Sequence, residues 1–202
     1  MPTGGGKSLC YQIPALLLPG ITLVVSPLIS LMKDQVAALK SAGVPAAYIN
    51  SSLTGEQIRT VYARTRKGAY KLIYVAPERL ETNSFLSLMQ EMDVSFLAVD
   101  EAHCISQWGQ DFRPSYLGIA DFINALPRRP IAAAYTATAT KQVQSDILRL
   151  LQLQSPYRTV TGYDRPNLYF DVRRPKNKFS ALAALIDERR GRSGIVYCAT
   201  PA

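Results

Sequence analysis

The feature that most constrains the fold is a regular alternation of short, nearly continuous apolar runs with longer segments of helical periodicity. The apolar runs predict strands buried on both faces, and the periodic segments predict amphipathic helices. The predicted strands are residues 21–26, 46–50, 71–76, 94–100 and 131–136; the predicted helices are residues 8–17, 30–41, 55–66, 84–92, 115–126 and 140–151. This pattern predicts an α/β fold: a parallel sheet with helices on both faces, whose ligands bind at the carboxyl ends of the strands.

The alternation of apolar runs with helical segments stops after residue 151. Three prolines interrupt the basic stretch that follows. We predict a strand at residues 168–173, a helix at residues 179–190 and a buried strand at residues 194–198. A domain is not expected to end on a new core strand. The sequence therefore predicts that the chain is cut shortly after that strand.

Composition narrows the class of protein. A hydrophobic share of 48% in 202 residues allows a packed core, and a net charge of +8 favours a polyanionic partner. No apolar run approaches the roughly 20 residues that span a bilayer, and the N-terminus carries no export signal. Cys10, Cys104 and Cys198 are far apart and lack metal-binding spacing. We therefore expect a cytoplasmic protein without a membrane partner.

A glycine-rich loop opens the chain and predicts a phosphate site. Its residues are Thr3, Gly4, Gly5, Gly6, Lys7 and Ser8. Glycines let backbone N–H groups turn toward phosphate oxygens, and the following helix adds its positive end. Lys7 would reach the β- and γ-phosphates, and Ser8 would bind Mg²⁺. The first glycine of the general pattern falls at Met1, and the loop alone leaves open a glycine-rich turn that binds nothing.

Two adjacent carboxylates, Asp100 and Glu101, follow the apolar strand that starts at residue 94. Such a pair is costly at the end of a buried strand unless a cation or a substrate requires it. Asp100 would hold Mg²⁺, and Glu101 would orient and deprotonate an attacking water. The alternative is a simple strand-end turn. The glycine-rich loop upstream favours the catalytic interpretation.

His103 is the only histidine and lies two residues beyond Glu101. A lone histidine is usually structural, but this position favours a role in relaying the nucleotide state. Thr136 ends the last predicted strand, and Thr138 and Thr140 follow it. They predict either a helix cap or hydroxyls that couple the carboxylates to neighbouring loops, and the two interpretations are compatible.

Together these residues resemble the RecQ family of DNA helicases, within helicase superfamily 2. The resemblance extends in order over nearly the whole chain. The matching segments are residues 1–12, 26–35, 75–80, 100–109, 110–116, 136–140, 163–167 and 194–198. The segment at 110–116 is similar to the family's aromatic-rich loop, which separates it from DEAD-box RNA helicases and chromatin remodellers.

The resemblance implies DNA contacts for seven residues: Ser26, Lys33, Arg79, Gln107, Trp108, Phe112 and Arg113. Aromatic faces stack on bases without regard to sequence, and arginine pairs with phosphate. The alternative for Trp108 and Phe112 is the hydrophobic core, although their neighbours are polar. For Lys33 and Arg79 the alternative is an ordinary solvated charge.

The resemblance further implies a RecA-like, P-loop NTPase fold that uses ATP and Mg²⁺, and 3′ to 5′ movement on DNA in recombination and repair. Single-stranded DNA and duplex junctions are the implied partners. We predict an ATP-binding domain at residues 1–160 that lacks the strand before the P-loop, a linker at 161–190, and the first strand of a second domain at 191–202. Such a fragment is expected to bind Mg-ATP weakly and not to unwind DNA.

Two other functions stay open at this point. The chain could belong to an RNA helicase or to a translocase that does not unwind. It could also be an inactive fragment that binds nucleic acid without turning over ATP. Stimulation by DNA or RNA separates the first alternative, and an ATPase assay separates the second.

Overall fold

Five parallel strands form the centre of the structure, a computed structural model that describes residues 5–160 and 167–198. The strands are β1 (Ile21–Val25), β2 (Ala46–Ile49), β3 (Leu72–Val75), β4 (Val94–Val99) and β5 (Ile131–Ala134), in the order β2-β3-β1-β4-β5. Leu23 of β1 pairs with Ile73 on one side and Leu97 on the other. The predicted parallel sheet is confirmed.

The strands alternate with helices as the periodicity predicts. The helices of this part of the chain are α1 (Lys7–Leu17), α2 (Ile29–Ser41), α3 (Gly55–Arg66), α4 (Pro77–Leu80), α5 (Asn83–Glu91), α6 (Ile119–Ala125) and α7 (Lys141–Leu150). The start of α3 shows how the sequence sets these bounds. The Thr54 hydroxyl accepts the Gln57 N–H while the Gln57 side chain accepts the Thr54 N–H, so the two residues form a capping box.

Helices cover both faces of the sheet. On one face, Tyr11 of α1 and Met32 of α2 pack with Val24 and Tyr74. On the other face, α3, α5, α6 and α7 pack over the side chains of the alternate strand positions, including Leu23 and Leu97. Each fully buried leucine contributes about 1.5–3 kcal/mol relative to exposure. Burial on both faces explains why the strands read as continuous apolar runs.

Two local predictions are wrong. Residues 115–126 do not form one helix: a short 3₁₀ turn at Pro114–Tyr116 precedes α6. The Tyr116 hydroxyl donates to the backbone oxygen of Asp100, which draws the turn against the end of β4. The edge strand β5 is also less buried than predicted, because Ile131 has a neighbouring strand on one side only and is 59% exposed.

The chain divides into two compact units, Met1–Tyr163 and Asp164–Ala202. In the second unit α8 (Lys178–Glu188) begins after Asn177, whose side chain accepts the Ser180 N–H. The helix predicted at 179–190 is therefore confirmed, but it ends earlier than expected, at Glu188.

The strands predicted at 168–173 and 194–198 are wrong: neither segment forms a strand, and Phe170 and Tyr197 are exposed. A strand needs a neighbour to take its backbone hydrogen bonds, and neither segment pairs with one in the described residues. The domain bounds 1–160, 161–190 and 191–202 stay a prediction. Most of the family-like segment at 163–167 lies outside the described residues, as do Thr3 and Gly4. Within residues 5–160 and 167–198, no helix is long and apolar enough to cross a membrane.

Candidate active site

Lys7, Asp100 and Glu101 meet at the carboxyl edge of the sheet. Asp100 directly follows β4, and its N–H donates to the backbone oxygen of Val25 at the end of β1. Tyr135, which follows β5, donates its N–H to the backbone oxygen of Val99. Because parallel strands end together, residues distant in sequence become neighbours here.

The start of α1 has the geometry of an anion site. Gly6 has a φ of +79°, in the left-handed region that glycine adopts most easily, and it is the residue before the helix. Lys7 and Ser8 occupy the first turn, where N–H groups lack helical partners and the helix dipole is positive. The local sequence therefore provides a backbone and a charge suited to phosphate.

Lys7 lies between the two carboxylates. Its Nζ is 2.7 Å from Oε1 of Glu101 and 3.8 Å from Oδ1 of Asp100. Glu101 has a φ of +46°, an uncommon value for a residue with a side chain, which costs on the order of 1–2 kcal/mol. Its N–H donates to Oδ1 of Asp100 at 2.9 Å, which compensates for part of that cost.

Asp100 is only 5% exposed. Burial raises the pKa of its carboxyl above the ordinary value, and the nearby Lys7 ammonium acts in the opposite direction. A cation at this carboxylate would favour the ionised form further. The side chain is therefore in an environment that calls for a positive partner.

Ser8 and Asp100 supply the hard oxygen donors that Mg²⁺ prefers. Across the two described stretches, no group of three or more His, Cys, Asp or Glu side chains is arranged to hold a metal ion. A Mg²⁺ ion that is held mainly by substrate phosphates and water needs only one carboxylate and one hydroxyl from the protein. The donor set therefore fits such an ion.

His103 connects the carboxylates to the threonine segment. Its Nδ1 is 3.2 Å from Oε2 of Glu101 and 2.9 Å from Oγ1 of Thr136. The Thr136 hydroxyl donates to the backbone oxygen of Thr138 and accepts the Thr138 N–H. Thr140 is the helix cap, since its hydroxyl accepts the Val143 N–H at the start of α7. The cap interpretation is therefore confirmed at Thr140, and a coupling role for Thr136 and Thr138 stays a prediction.

Residues 106–116, which combine the aromatic-rich segment at 110–116 with the residues that lead into it, leave the same edge of the sheet and form the aromatic-rich loop of the structure. Trp108 is 74% exposed and Gln107 is exposed, whereas Phe112 is half-buried. Trp108 is thus not a core residue. Gly109 packs so closely on the 3₁₀ turn Ala102–Ile105 that an added Cβ would lie 2.2 Å from the backbone oxygen of His103.

Arg113 is already engaged by protein atoms. Its Nε and Nη2 donate to Oδ2 of Asp111 at 3.0 and 2.8 Å, and its Nη1 donates to the backbone oxygen of Pro27 at 3.1 Å. It therefore joins the aromatic-rich loop to the segment that follows β1. A phosphate would have to compete with Asp111 for this guanidinium.

The other predicted DNA contacts differ in their exposure to solvent. Lys33 is exposed on α2, and Arg79 is half-exposed on α4. Ser26 is 1% exposed, and its hydroxyl has no hydrogen-bond partner among the described residues. In this conformation the Ser26 side chain is not accessible to DNA, because it is buried.

Sequence reasoning missed one buried contact of the site. The Ser106 hydroxyl donates to Oδ2 of Asp146 on α7 at 2.7 Å. Asp146 lies on the buried face of a helix whose neighbouring inward residues, Val143 and Ile147, are apolar. An acidic residue on that face was the available signal, since a carboxylate there needs a partner.

Comparison with known proteins gives a consistent result. The DEAD/DEAH box helicase family matches residues 1–146. ATP-dependent DNA helicase RecQ of Bacillus subtilis (strain 168) is 50% identical over 200 residues, which are 99% of this chain and 34% of that protein. RecQ of Haemophilus influenzae is 48% identical, over 98% of this chain and 32% of the relative. The chain thus spans about a third of the length of these relatives.

Solved structures show the same fold. The helicase domain of Pyrococcus furiosus Hef has a TM-score of 0.58 at 21% identity, over 76% of this chain and 33% of that one. A hypothetical ATP-dependent RNA helicase from Sulfolobus tokodaii has a TM-score of 0.59 at 20% identity, over 78% of this chain and 45% of that one. The parallel sheet with helices on both faces is accordingly the RecA-like fold that the sequence predicts. The chain belongs to the DEAD/DEAH box helicase family, and its similarity to RecQ helicases extends over nearly its whole length.

Proposed function

We propose that this chain carries the ATP-hydrolysing site of a RecQ-type DNA helicase motor, in which hydrolysis is stimulated by DNA. The observation that carries the proposal is the convergence of Lys7, Asp100 and Glu101 at the start of α1, with the exposed Trp108 only seven residues beyond Glu101. Because the two carboxylates and a base-stacking side chain lie in one short segment, nucleic acid and nucleotide can affect each other.

Each side chain of the nucleotide site has a proposed role. Lys7 and the backbone of residues 3–8 bind the phosphates, as the positive end of α1 favours. Ser8 and Asp100 hold Mg²⁺, which neutralises phosphate charge when bound. Glu101 accepts the proton of the attacking water. For that role Glu101 must exchange its contact with Lys7 for one with water, so phosphate binding at Lys7 frees the base.

His103 and the threonines relay the state of the site. His103 contacts both Glu101 and Thr136, and Thr136 in turn contacts Thr138. A change at the Glu101 carboxylate therefore alters the hydrogen bonds of the loop that leads into α7. We propose that this path couples hydrolysis to movement of neighbouring segments.

DNA contact is assigned to the aromatic-rich loop and to exposed cations. Trp108 and Phe112 stack on bases, and Gln107, Arg113, Lys33 and Arg79 bind the backbone. Ser26 is not assigned a DNA contact, since its side chain is buried and its backbone N–H donates to the backbone oxygen of Val75. The net charge of +8 supports a polyanionic partner.

Single-stranded DNA and its junctions with duplex are the proposed substrates, with 3′ to 5′ movement. A DNA substrate places the protein in the bacterial cytoplasm or nucleoid, or in a eukaryotic nucleus.

The test measures nucleotide binding and ATP turnover by this 202-residue chain with Mg²⁺ or EDTA, and with oligo(dT) or oligo(U) of equal length. We expect weak Mg-ATP binding and slow Mg²⁺-dependent turnover that oligo(dT) increases more than oligo(U). Lys7→Ala should abolish binding, whereas Lys40→Ala, which changes an exposed lysine of α2, should not. Stronger stimulation by oligo(U) would favour an RNA helicase or translocase. Nucleic-acid binding without turnover would favour a non-enzymatic role.

A further inference from the structure

A buried hydrogen bond joins the aromatic-rich loop to a helix outside it. The hydroxyl of Ser106 donates to Oδ2 of Asp146 at 2.7 Å, across 40 residues of sequence. Ser106 is fully buried, and Asp146 is 6% exposed. The predicted nucleotide and DNA contacts do not use either residue. A buried carboxylate is costly unless its hydrogen bonds are satisfied, so this contact holds both elements in place.

The remaining partners of Asp146 lie on its own helix. Arg149 Nη2 donates to its Oδ1 at 3.0 Å, and Gln142 Nε2 lies 3.4 Å from the same oxygen. These groups and the Ser106 hydroxyl lower the pKa of the Asp146 carboxyl, with Ser106 contributing most. Oδ1 of Asp146 is therefore hydrogen-bonded within α7, and Oδ2 is hydrogen-bonded to Ser106.

Ser106 passes this constraint to Trp108. Its Oγ accepts the Trp108 N–H at 3.2 Å, and its backbone oxygen accepts the Gly109 N–H at 2.9 Å. Because the Ser106 hydroxyl hydrogen points to Asp146, a lone pair of the same oxygen faces the amide of Trp108. The carboxylate, the hydroxyl and the amide form one chain of hydrogen bonds that ends at the backbone N–H of Trp108, the residue that carries the exposed indole.

The same helix is connected to the nucleotide site through its N-terminus. Thr140 caps α7, and the segment before it contains Thr136, which contacts His103 beside Glu101. Helix α7 thus lies between the threonine segment and the aromatic-rich loop, with a hydrogen-bonded contact to each. This helix is a second connection between the two sites, separate from the direct chain path from Glu101 to Trp108.

We propose that Asp146 is a positioning residue that, through Ser106, holds Trp108 in the orientation that stacks on single-stranded DNA. The proposal rests on the function proposed above, because it assigns Trp108 to DNA. The positioning role can be tested without ATP. A displaced loop changes the Trp108 fluorescence in the absence of DNA, whereas a lost DNA contact is detected only when oligo(dT) is added.

Trp108 is the only tryptophan, so its fluorescence reports on this loop alone. We expect Asp146→Ala to shift the Trp108 emission maximum and change its quenching by acrylamide. Oligo(dT) binding should weaken about 10-fold, because DNA must then order a loop that the lost hydrogen bond no longer holds in place. Asp146→Asn keeps an acceptor oxygen and should lose only about 3-fold. Asp121→Ala, an exposed acid on α6, should match the wild type. Far-UV circular dichroism confirms that each variant is folded.

The outcomes separate the two proposals. Unchanged Trp108 emission and unchanged oligo(dT) binding in folded Asp146→Ala would overturn the positioning role. If Asp146→Ala does not fold, Asp146→Asn decides, and wild-type binding and emission in that variant would overturn the role. The double variant Ser106→Ala/Asp146→Ala should bind oligo(dT) no more weakly than the single variant with the lower affinity, because both substitutions break the same chain of hydrogen bonds. A wild-type Trp108 that does not respond to oligo(dT) would instead contradict the proposed DNA contact.

Discussion

The ammonium group of Lys7 lies 2.7 Å from a carboxylate oxygen of Glu101, 94 residues later in the chain. The two side chains are half-buried, so the pair is stronger than one at a fully solvated surface. Without phosphate, each neutralises the other. In the proposed reaction they have different tasks, and the arriving phosphates compete with Glu101 for Lys7.

Glu101→Gln should reduce ATP turnover by about 100- to 10,000-fold, the range typical of a general base, because an amide cannot accept the proton of water. ATP binding should be retained or somewhat tightened, since Gln no longer holds Lys7 by charge. Single-turnover hydrolysis and equilibrium binding of a fluorescent ATP analogue measure the two quantities. Retained turnover would remove Glu101 from its role.

Trp108→Ala should weaken oligo(dT) binding by about 5- to 150-fold, the loss expected when stacking on one base is removed. Basal ATP turnover should be unchanged, since the indole is exposed and outside the nucleotide site. Trp108→Phe should retain most of the binding. Tyr157→Ala changes another highly exposed aromatic residue and serves as the control. DNA stimulation equal to wild type in Trp108→Ala would contradict the assignment.

The sequence was sufficient to predict the sheet and the proximity of Lys7, Asp100 and Glu101. Both follow from local signals: apolar runs mark the strands, and parallel strands end at one edge. Lys7, Asp100 and Glu101 therefore had to come close together once the fold was α/β. The strands of the first unit lie within two residues of their predicted bounds for the same reason.

The sequence could not predict features that depend on long-range partners. The apolar segment at 194–198 reads as a strand but has no strand beside it in the described residues. The burial of Ser26 and the contact of Arg113 with Pro27 depend on how loops fold back over the sheet. The link from Ser106 to Asp146 depends on the docking of α7, which no local pattern specifies.

Ser106→Ala should make protein stability less sensitive to acid. The folded-state pKa of Asp146 lies below its ordinary value of 3.8. The ionised carboxylate therefore stabilises the folded protein fully above about pH 4, and this contribution is lost as the pH falls through the folded-state pKa. The difference in unfolding free energy between wild type and Ser106→Ala should be constant from about pH 7 to 5 and shrink below about pH 4. Urea unfolding followed by circular dichroism measures it. A difference that stays constant down to about pH 3 would contradict the pairing.

Gly109→Ala should displace the aromatic-rich loop. The added Cβ would lie 2.2 Å from the backbone oxygen of His103 and 3.0 Å from that of Ser106, and backbone cannot give way as a flexible side chain can. We expect a loss of about 1–3 kcal/mol in unfolding free energy, together with a changed Trp108 emission. Gly55→Ala at the start of α3 is the matched control, because its Cβ would meet only the flexible Arg59 side chain at 3.8 Å. That variant should stay within about 0.5 kcal/mol of wild type. Equal stability and equal emission in the two variants would show that the loop does not pack on the His103 turn.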